Sequence, residues 1–373
     1  MSLFIGLMSG TSLDGVDGVL ADFDPSRDGR SAIRVLAHQQ AAFPDALRST
    51  LLRLNSRGDD ELHQAALAAN ALVRAYAEVV EALLRQCQLS PAQVRAIGAH
   101  GQTVRHRPQE FDGTGYTLQL INGALLAELS GIDVVCDLRS RDVAAGGQGA
   151  PLVPALHAAL FAAPGTDVAV LNLGGIGNLT LLPAQGAVRG FDCGPGNALL
   201  DLWCQRHLGR AYDEGGHWAS SGKVNDRLLN QFLSEPFLQR DPPKSTGRDL
   251  FHAAWLETAL QQVADIAPAD VQATLAEFSA RAATDALRRY APLTGRLLVC
   301  GGGAFNTHLM QRLAALLPDI PVDSTDAAGM PPLQVEALAF AWLAQAFVAR
   351  RPGNLAAVTG APGPRVLGAL YPA

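Results

Sequence analysis

The sequence predicts an α/β protein built from two units that share one order of elements. Two observations predict it. In each half of the chain, three strand-like runs are followed by a helix and a further strand. Glycine-rich turns also follow apolar strands at separate places along the chain. Length agrees, because 373 residues favour two domains over one.

In the first half, residues 3–9 and 16–23 read as strands around the turn Ser9-Gly10-Thr11-Ser12-Leu13-Asp14-Gly15. A third strand, 33–43, follows the polar stretch 24–30. Leu62, Ala66, Ala69, Val73, Tyr76, Val80 and Leu83 recur at three- and four-residue steps, which predicts a helix over 59–87. Asp59 or Asp60 would cap it. Ser90-Pro91 opens a short turn, and 94–99 is a strand running into the loop His100-Gly101-Gln102-Thr103.

The second half repeats this order. Residues 168–173 form an apolar strand before the turn Gly174-Gly175-Ile176-Gly177-Asn178. Strands 179–182 and 188–191 follow, the latter ending at Asp192-Cys193-Gly194-Pro195-Gly196-Asn197, and a helix spans 198–208. A late strand, 296–300, enters Gly301-Gly302-Gly303. Residues 230–247, with Pro236, Pro242 and Pro243, read as an irregular insertion, and 352–373 as a tail packed back on the body.

Composition narrows the function. Hydrophobic residues make up 48% and charged residues 17%, so the chain can fill packed cores and is not a disordered one. Net charge is −6 and no basic run stands out, which argues against nucleic acid as a partner. The five cysteines are odd in number and form no C-x-x-C pair, as expected of a reducing compartment without structural zinc. The start lacks the basic region of a signal peptide. The uncharged run 143–166 is broken by glycines and prolines and reads as a buried loop and short core helix, not a membrane span. A cytoplasmic protein is expected.

Several segments carry candidate chemistry. The turn 9–15 can offer backbone N–H groups and hydroxyls to a phosphate, with Asp14 and Asp17 near enough for a metal or its waters. It is neither a P-loop nor a dinucleotide fingerprint, and an ordinary hairpin turn uses the same residue types. Gly174, Gly175 and Gly177 permit close approach to a phosphate, and Gly301, Gly302 and Gly303 could let an adenosine lie on the backbone. Together the three turns suggest a nucleotide cleft. Asp192 follows an apolar strand, where a carboxylate can take a proton from a hydroxyl or water, although a helix cap is the plainer reading. His100, Gln102, Thr103 and His106 suit a polyhydroxylated ligand or a polar loop. Arg139 or Arg141, before Asp142 and Gly146-Gly147-Gln148-Gly149, could hold a carboxylate or form a surface ion pair. Lys244-Ser245-Thr246-Gly247-Arg248 could reach an anion.

The letters resemble the anhydro-N-acetylmuramic acid kinase family. The resemblance is carried by Gly6-Leu7-Met8-Ser9-Gly10-Thr11-Ser12-Leu13-Asp14-Gly15-Val16-Asp17, by His100-Gly101-Gln102-Thr103, and by Ala145-Gly146-Gly147-Gln148-Gly149-Ala150-Pro151-Leu152. Gly190-Phe191-Asp192-Cys193-Gly194-Pro195-Gly196-Asn197 and Cys300-Gly301-Gly302-Gly303-Ala304-Phe305-Asn306 complete it, so it spans nearly the whole chain. It implies two duplicated actin-like (ribonuclease H-like) domains around a nucleotide cleft, 1–133 with 351–373 and 134–350. It implies that 1,6-anhydro-N-acetylmuramic acid, ATP and water give N-acetylmuramic acid 6-phosphate and ADP, in peptidoglycan recycling. Magnesium and a homodimer are implied with it.

The family's ATP segment maps onto Gly10, Thr11, Ser12, Leu13, Asp14, Gly15, Val16 and Asp17, and its catalytic aspartate onto Asp192. The expected nucleotide contacts add Gly174, Gly175, Gly177, Asn178, Gly301, Gly302 and Gly303, with Asp14 near magnesium through water. Expected sugar contacts are His100, Gln102, Thr103, Asn122, Arg139 and Asn197. Two local departures concern the sugar pocket: Asn122-Gly123 where the family often has Asn-Pro, and Gly177 where it often has serine, with an aromatic near Ile176. The rival readings are an ordinary sugar kinase or phosphatase of the same fold, and an actin-like filament or sugar-sensing regulator.

Overall fold

The computed structural model describes residues 2–10, 13, 15–23, 33–247, 250–263 and 265–373. Thr11, Ser12, Asp14 and Arg248 lie outside the described residues. The chain divides into two compact units, Met1–Leu156 with Leu333–Ala373, and His157–Pro332.

The strands are β1 (Leu3–Met8), β2 (Gly15–Asp22), β3 (Arg34–Ala42), β4 (Val94–Ala99), β5 (Gln102–Pro108), β6 (Gly115–Leu120), β7 (Val134–Cys136), β8 (Val168–Leu173), β9 (Ile176–Leu182), β10 (Arg189–Pro195), β11 (Arg296–Cys300), β12 (Val322–Ser324) and β13 (Ala369–Tyr371). The helices are α1 (Asp45–Arg53), α2 (Glu61–Cys87), α3 (Gly123–Ser130), α4 (Ser140–Ala144), α5 (Pro154–Phe161), α6 (Ala198–Leu208), α7 (His217–Ser221), α8 (Asp226–Leu233), α9 (Pro236–Gln239), α10 (Ala253–Leu260), α11 (Pro268–Tyr290), α12 (Thr307–Leu316), α13 (Val335–Val348) and α14 (Ala356–Thr359).

The first unit holds the sheet β13-β7-β4-β1-β2-β3. β1, β2 and β3 are antiparallel, while β4 runs parallel to β1 and β7 parallel to β4. One face is covered by α2, whose Leu72, Val73, Tyr76, Val79 and Leu83 join Ile5, Leu7, Val16 and Leu20 in one core. α13 is apolar all round and buries Leu338, Phe340 and Leu343, as a helix enclosed on every side must. Its backbone comes so close that a Cβ on Gly6 would stand 1.9 Å from Ala337 O, and one on Gly98 1.9 Å from Phe340 O.

The second unit holds β10-β9-β8-β11-β12. Again three antiparallel strands, β8 to β10, are followed by two parallel ones. Both units therefore repeat the order 3-2-1-4-5, the topology of an actin-like domain. Leu171, Leu173, Leu179 and Phe191 pack with Ala283 and Leu287 of α11 and Leu309 and Leu313 of α12. A second core gathers Phe232, Phe251, Trp255 and Phe278, with the Trp255 and Phe278 rings stacked 5.9 Å apart.

Four expectations change in detail. The loop after His100 is a strand, β5, forming a ribbon with β6. The insertion 230–247 is helical as far as Gln239, through α8 and α9. Asp60 occupies the cap position of α2 without a side-chain cap bond. Asp192 does not end its strand: β10 runs on through Gly194 and Pro195. Proline is tolerated there because β10 is an edge strand of its sheet.

Candidate active site

In the first unit, β1 delivers Ser9 and Gly10 to the turn. Buried Ser9 Oγ donates to Gly101 O at 3.0 Å and lies 2.9 Å from Tyr76 Oη, so it anchors the turn to α2 and the β4–β5 connection. Gly10 O accepts from Leu13 N at 3.3 Å and from Gln102 Nε2 at 3.1 Å. Leu13 and Val16 are core side chains, which leaves the backbone as their means of meeting a ligand. Gly15 is required by sheet pairing, since a Cβ would lie 2.2 Å from Ala41 O. Asp17 Oδ1 accepts from Gln40 Nε2 at 2.5 Å and from His38 Nε2 at 3.2 Å.

His100 connects this turn to Arg139. Its Nδ1 donates to Ser9 O at 3.1 Å, while Nε2 accepts from Arg139 Nε and Nη2 at 3.2 and 3.0 Å. Burial, then the Arg139 charge, lowers the His100 pKa to about 3, so the ring is neutral. Both ring nitrogens are thus engaged inside the unit. Arg139 Nη1 donates to Gly149 O at 2.8 Å, and burial brings its pKa down to about 10 against the opposing charges of Glu336 and Asp142. Arg141 is exposed. Buried Asp142 accepts from Gly149 N at 2.7 Å, Asn354 Nδ2 at 2.7 Å and Thr359 Oγ1 at 2.8 Å. Its oxygens organise the loop rather than face a substrate.

The β5–β6 ribbon sets polar side chains in register. Gln119 Nε2 donates to Thr103 Oγ1 at 3.1 Å and Thr117 Oγ1 at 2.8 Å, and His106 Nδ1 lies 2.9 Å from Thr117 Oγ1. Burial, aided by Arg139 and Arg107, lowers the His106 pKa to about 4. Gln102 Oε1 and Gln119 Oε1 are buried without a hydrogen-bond partner among the described residues, two acceptors suited to hydroxyl or amide donors. Thr117 and Gln119 were not among the sequence candidates. Their signal was the polar–apolar alternation Thr117-Leu118-Gln119-Leu120. Asn122 caps α3, accepting from Leu125 N at 3.0 Å and donating to Asn70 Oδ1 at 2.8 Å.

In the second unit, the Gly174 and Gly175 carbonyls accept from Gly196 N, Asn197 N and Ala198 N at 3.0, 2.8 and 3.0 Å. Asn197 Nδ2 donates to Leu173 O at 3.0 Å, so its side chain fastens the start of α6 to β8. The glycines here have different uses. A Cβ on Gly301, at φ 78°, would stand 2.4 Å from Asn172 Oδ1, and one on Gly303 2.5 Å from Leu173 Cβ. On Gly174 or Gly175 the nearest atom would be 3.7 Å away, and on Gly302 3.9 Å. Internal packing does not demand glycine at those three positions, since a Cβ there would make only ordinary van der Waals contact. Gly177 and Asn178 are strand residues of β9.

Asp192, Asn178 and Asn172 form one cross-strand row. Alternation turns them away from the core that holds Phe191, Cys193, Leu179 and Leu171. The register slips between Asp192 and Gly194, a bulge of the kind that re-aims side chains beside active sites. Asp192 Oδ2 accepts from Thr246 N at 2.8 Å. Oδ1 has no partner among the described residues. Burial pushes the Asp192 pKa up to about 7, against the pull of the Thr246 N–H and the Lys244 charge. A partly buried carboxyl with one oxygen fixed, one free and a pKa near neutrality is equipped to accept a proton from water.

Glycine at 174 and 175 is not required by internal packing and would let a polyphosphate come close to the backbone. For magnesium the described carboxylates are sparse. No three His, Cys, Asp or Glu side chains converge among the described residues, and Asp17 is already hydrogen-bonded. That donor set still suits an ion that keeps its waters and binds through phosphates and one or two carboxylates.

A family model described as anhydro-N-acetylmuramic acid kinase matches residues 2–373. A protein of that description from Variovorax paradoxus is 61% identical over 376 residues, covering 100% of this chain and 99% of its own length. One from Bordetella petrii is 61% identical over 374 residues, covering 100% and 96%. Among solved structures, a ROK family glucokinase from Streptomyces griseus, in complex with glucose and AMPPNP, is 15% identical. Its TM-score is 0.42, with 92% of this chain and 99% of that one covered.

Proposed function

The chain belongs to the anhydro-N-acetylmuramic acid kinase family, and we propose that Asp192 is the base that drives its reaction. It is an ATP-dependent phosphotransferase that opens the 1,6-anhydro ring of 1,6-anhydro-N-acetylmuramic acid, a step of peptidoglycan recycling. One observation carries the assignment: Asp192 has Oδ2 tied to Thr246 N, while Oδ1 has no partner among the described residues.

The substrate presents a difficulty for a kinase, because its O6 is tied into an acetal with C1. Asp192 Oδ1 orients a water and takes its proton as the water oxygen bonds to C1. The C1–O6 electron pair passes to O6, which bonds to the γ-phosphorus as ADP leaves. Water attacks C1 opposite the departing O6, as in an inverting glycosidase. The phosphoryl group does for O6 what a general acid does in that class.

The remaining assignments are ours as well. The backbone around Gly10, Thr11, Ser12, Leu13, Asp14 and Gly15, with Gly174, Gly175 and Gly302, would bind phosphates. Gly301 and Gly303 shape the adenosine side. Asp14, through water, would hold magnesium, which supplies charge neutralisation during phosphoryl transfer. Gln102, Thr103 and Gln119 would meet the sugar's polar groups. Arg139 would meet the lactyl carboxylate, with His100 fixing its guanidinium and Asn197 and Asn122 holding local backbone. We place the enzyme in the cytoplasm, where ATP is available, as a homodimer. No helix among the described residues is long and apolar enough to cross a membrane.

The test is turnover in oxygen-18 water, with unlabelled product kept in the same water to measure exchange at the anomeric carbon. Excess label at C1 and none in phosphate is expected. Label in inorganic phosphate with intact sugar would make the protein an ATPase instead. Asp192→Asn should lose about 10²–10⁴-fold in turnover.

A further inference from the structure

The segment 240–247 meets Asp192 at two points. Asp192 N donates to Lys244 O at 3.2 Å, and Thr246 N donates back to Asp192 Oδ2 at 2.8 Å. β10 is an edge strand, so the segment covers part of an otherwise open edge. Sequence reading suggested an anion for Lys244, but its ammonium is committed elsewhere. Nζ donates to Phe237 O at 3.3 Å and Leu238 O at 3.0 Å, carbonyls of the short helix α9. It also lies 4.9 Å from the centre of the Phe237 ring and 5.9 Å from that of Phe191, the residue before Asp192. The cation is therefore fixed close to the base without occupying its free oxygen.

We propose that Lys244 and Thr246 are positioning residues for the base: Thr246 N–H claims Oδ2 and so leaves Oδ1 for water, while the anchored Lys244 ammonium favours the ionised carboxylate. This rests on Asp192 being the base. The surrounding charges support it. Cys193, next on the same strand, has its thiol pushed up to about 12 by burial and is neutral. Arg289 of α11 and Asp241 pair with each other at 2.9 Å beside Lys244. Among the described residues, Lys244 is the cation that pulls on Asp192.

The test is the pH dependence of kcat/KM for the anhydro-sugar at saturating ATP and magnesium. The native enzyme should lose activity as pH falls through about 7. Lys244→Met should move that limb up by about one pH unit, costing about tenfold at pH 6 and little above pH 9. Lys244→Arg, which keeps the charge, should leave the limb in place. Thr246→Pro, which removes the N–H, should move it up as Lys244→Met does, and decides the matter if that variant does not fold. A folded variant of either kind with a uniform loss at every pH, its limb unmoved, overturns the proposal. A native enzyme with no such limb, or an active Asp192→Asn, would instead remove Asp192 as the base, so the two failures are distinguishable.

Discussion

Replacing Asp192 by Asn should make the protein more stable while it lowers turnover, and the gain should depend on pH. Burial raises the Asp192 pKa from 3.8 to about 7. The folded state therefore holds this proton more tightly than the unfolded chain. Between those two values, every rise in pH favours unfolding. Above pH 7 the accumulated penalty is about 4 kcal/mol, taking about 1.4 kcal/mol for each pH unit. Asparagine carries no such penalty, and its amide oxygen can still accept from Thr246 N. For a domain of this size, about 2–4 °C accompanies each kcal/mol. The melting difference between variant and native protein should thus grow from near zero at pH 4 to about 10 °C at pH 8. Scanning calorimetry at both pH values reads it, and other groups cancel in the difference. A gain equal at both pH values, or a loss at pH 8, would refute the assignment of a buried, ionising carboxyl.

The two kinds of glycine should separate in mutants. Gly301→Ala, at φ 78° with a Cβ 2.4 Å from Asn172 Oδ1, should cost about 2 kcal/mol or more in denaturant unfolding. Gly175→Ala, with its nearest neighbour 3.7 Å away, should keep native stability but raise KM for ATP in a coupled ADP assay. Asp142→Ala strands the Gly149, Asn354 and Thr359 donors and should cost about 3 kcal/mol or more by urea unfolding. The milder Asp142→Asn should leave the acid limb of the pH–rate profile where it is. His100, His106 and His157 have pKa values lowered to about 3, 4 and 3, mainly by burial. Below about pH 6.5 the unfolded chain takes up protons that the folded one refuses, so these groups withdraw stability as pH falls toward 4. His100→Gln, which keeps one ring-like donor and acceptor without the ionisation, should flatten part of that loss in melting scans.

The strands were legible because their apolar runs are bounded by breaker residues. The predicted strands 94–99 and 168–173 agree with β4 and β8 to the residue. Helix α2 announced itself by its period. The β5–β6 ribbon was harder to see, because it lacks a continuous apolar run and its polar side chains pair across strands, as Gln119 does with Thr103. Asp192 stands out by its setting, but the apolar run ends at Phe191, while the strand continues through the glycine and proline that an edge strand tolerates. No local signal shows that Thr246, 54 positions away, holds its carboxylate, or that His100 spans 91 and 39 positions to join Ser9 and Arg139. Such partners are set by sheet topology, which periodicity does not encode.

The close approach of α13 to β1 and β4 also bears on the order in which the chain matures during synthesis. Gly6 and Gly98 lie in the first hundred residues, yet the helix backbone they accommodate comes from Val335–Val348. One face of that early sheet therefore stays uncovered until residues 335–348 have been made. The unit His157–Pro332 is continuous and needs no later segment for its own sheet. On the ribosome it can close first, while the earlier-made strands wait and expose apolar surface that a chaperone can hold. Slowing translation between the codons for residues 332 and 335 should prolong that exposed state.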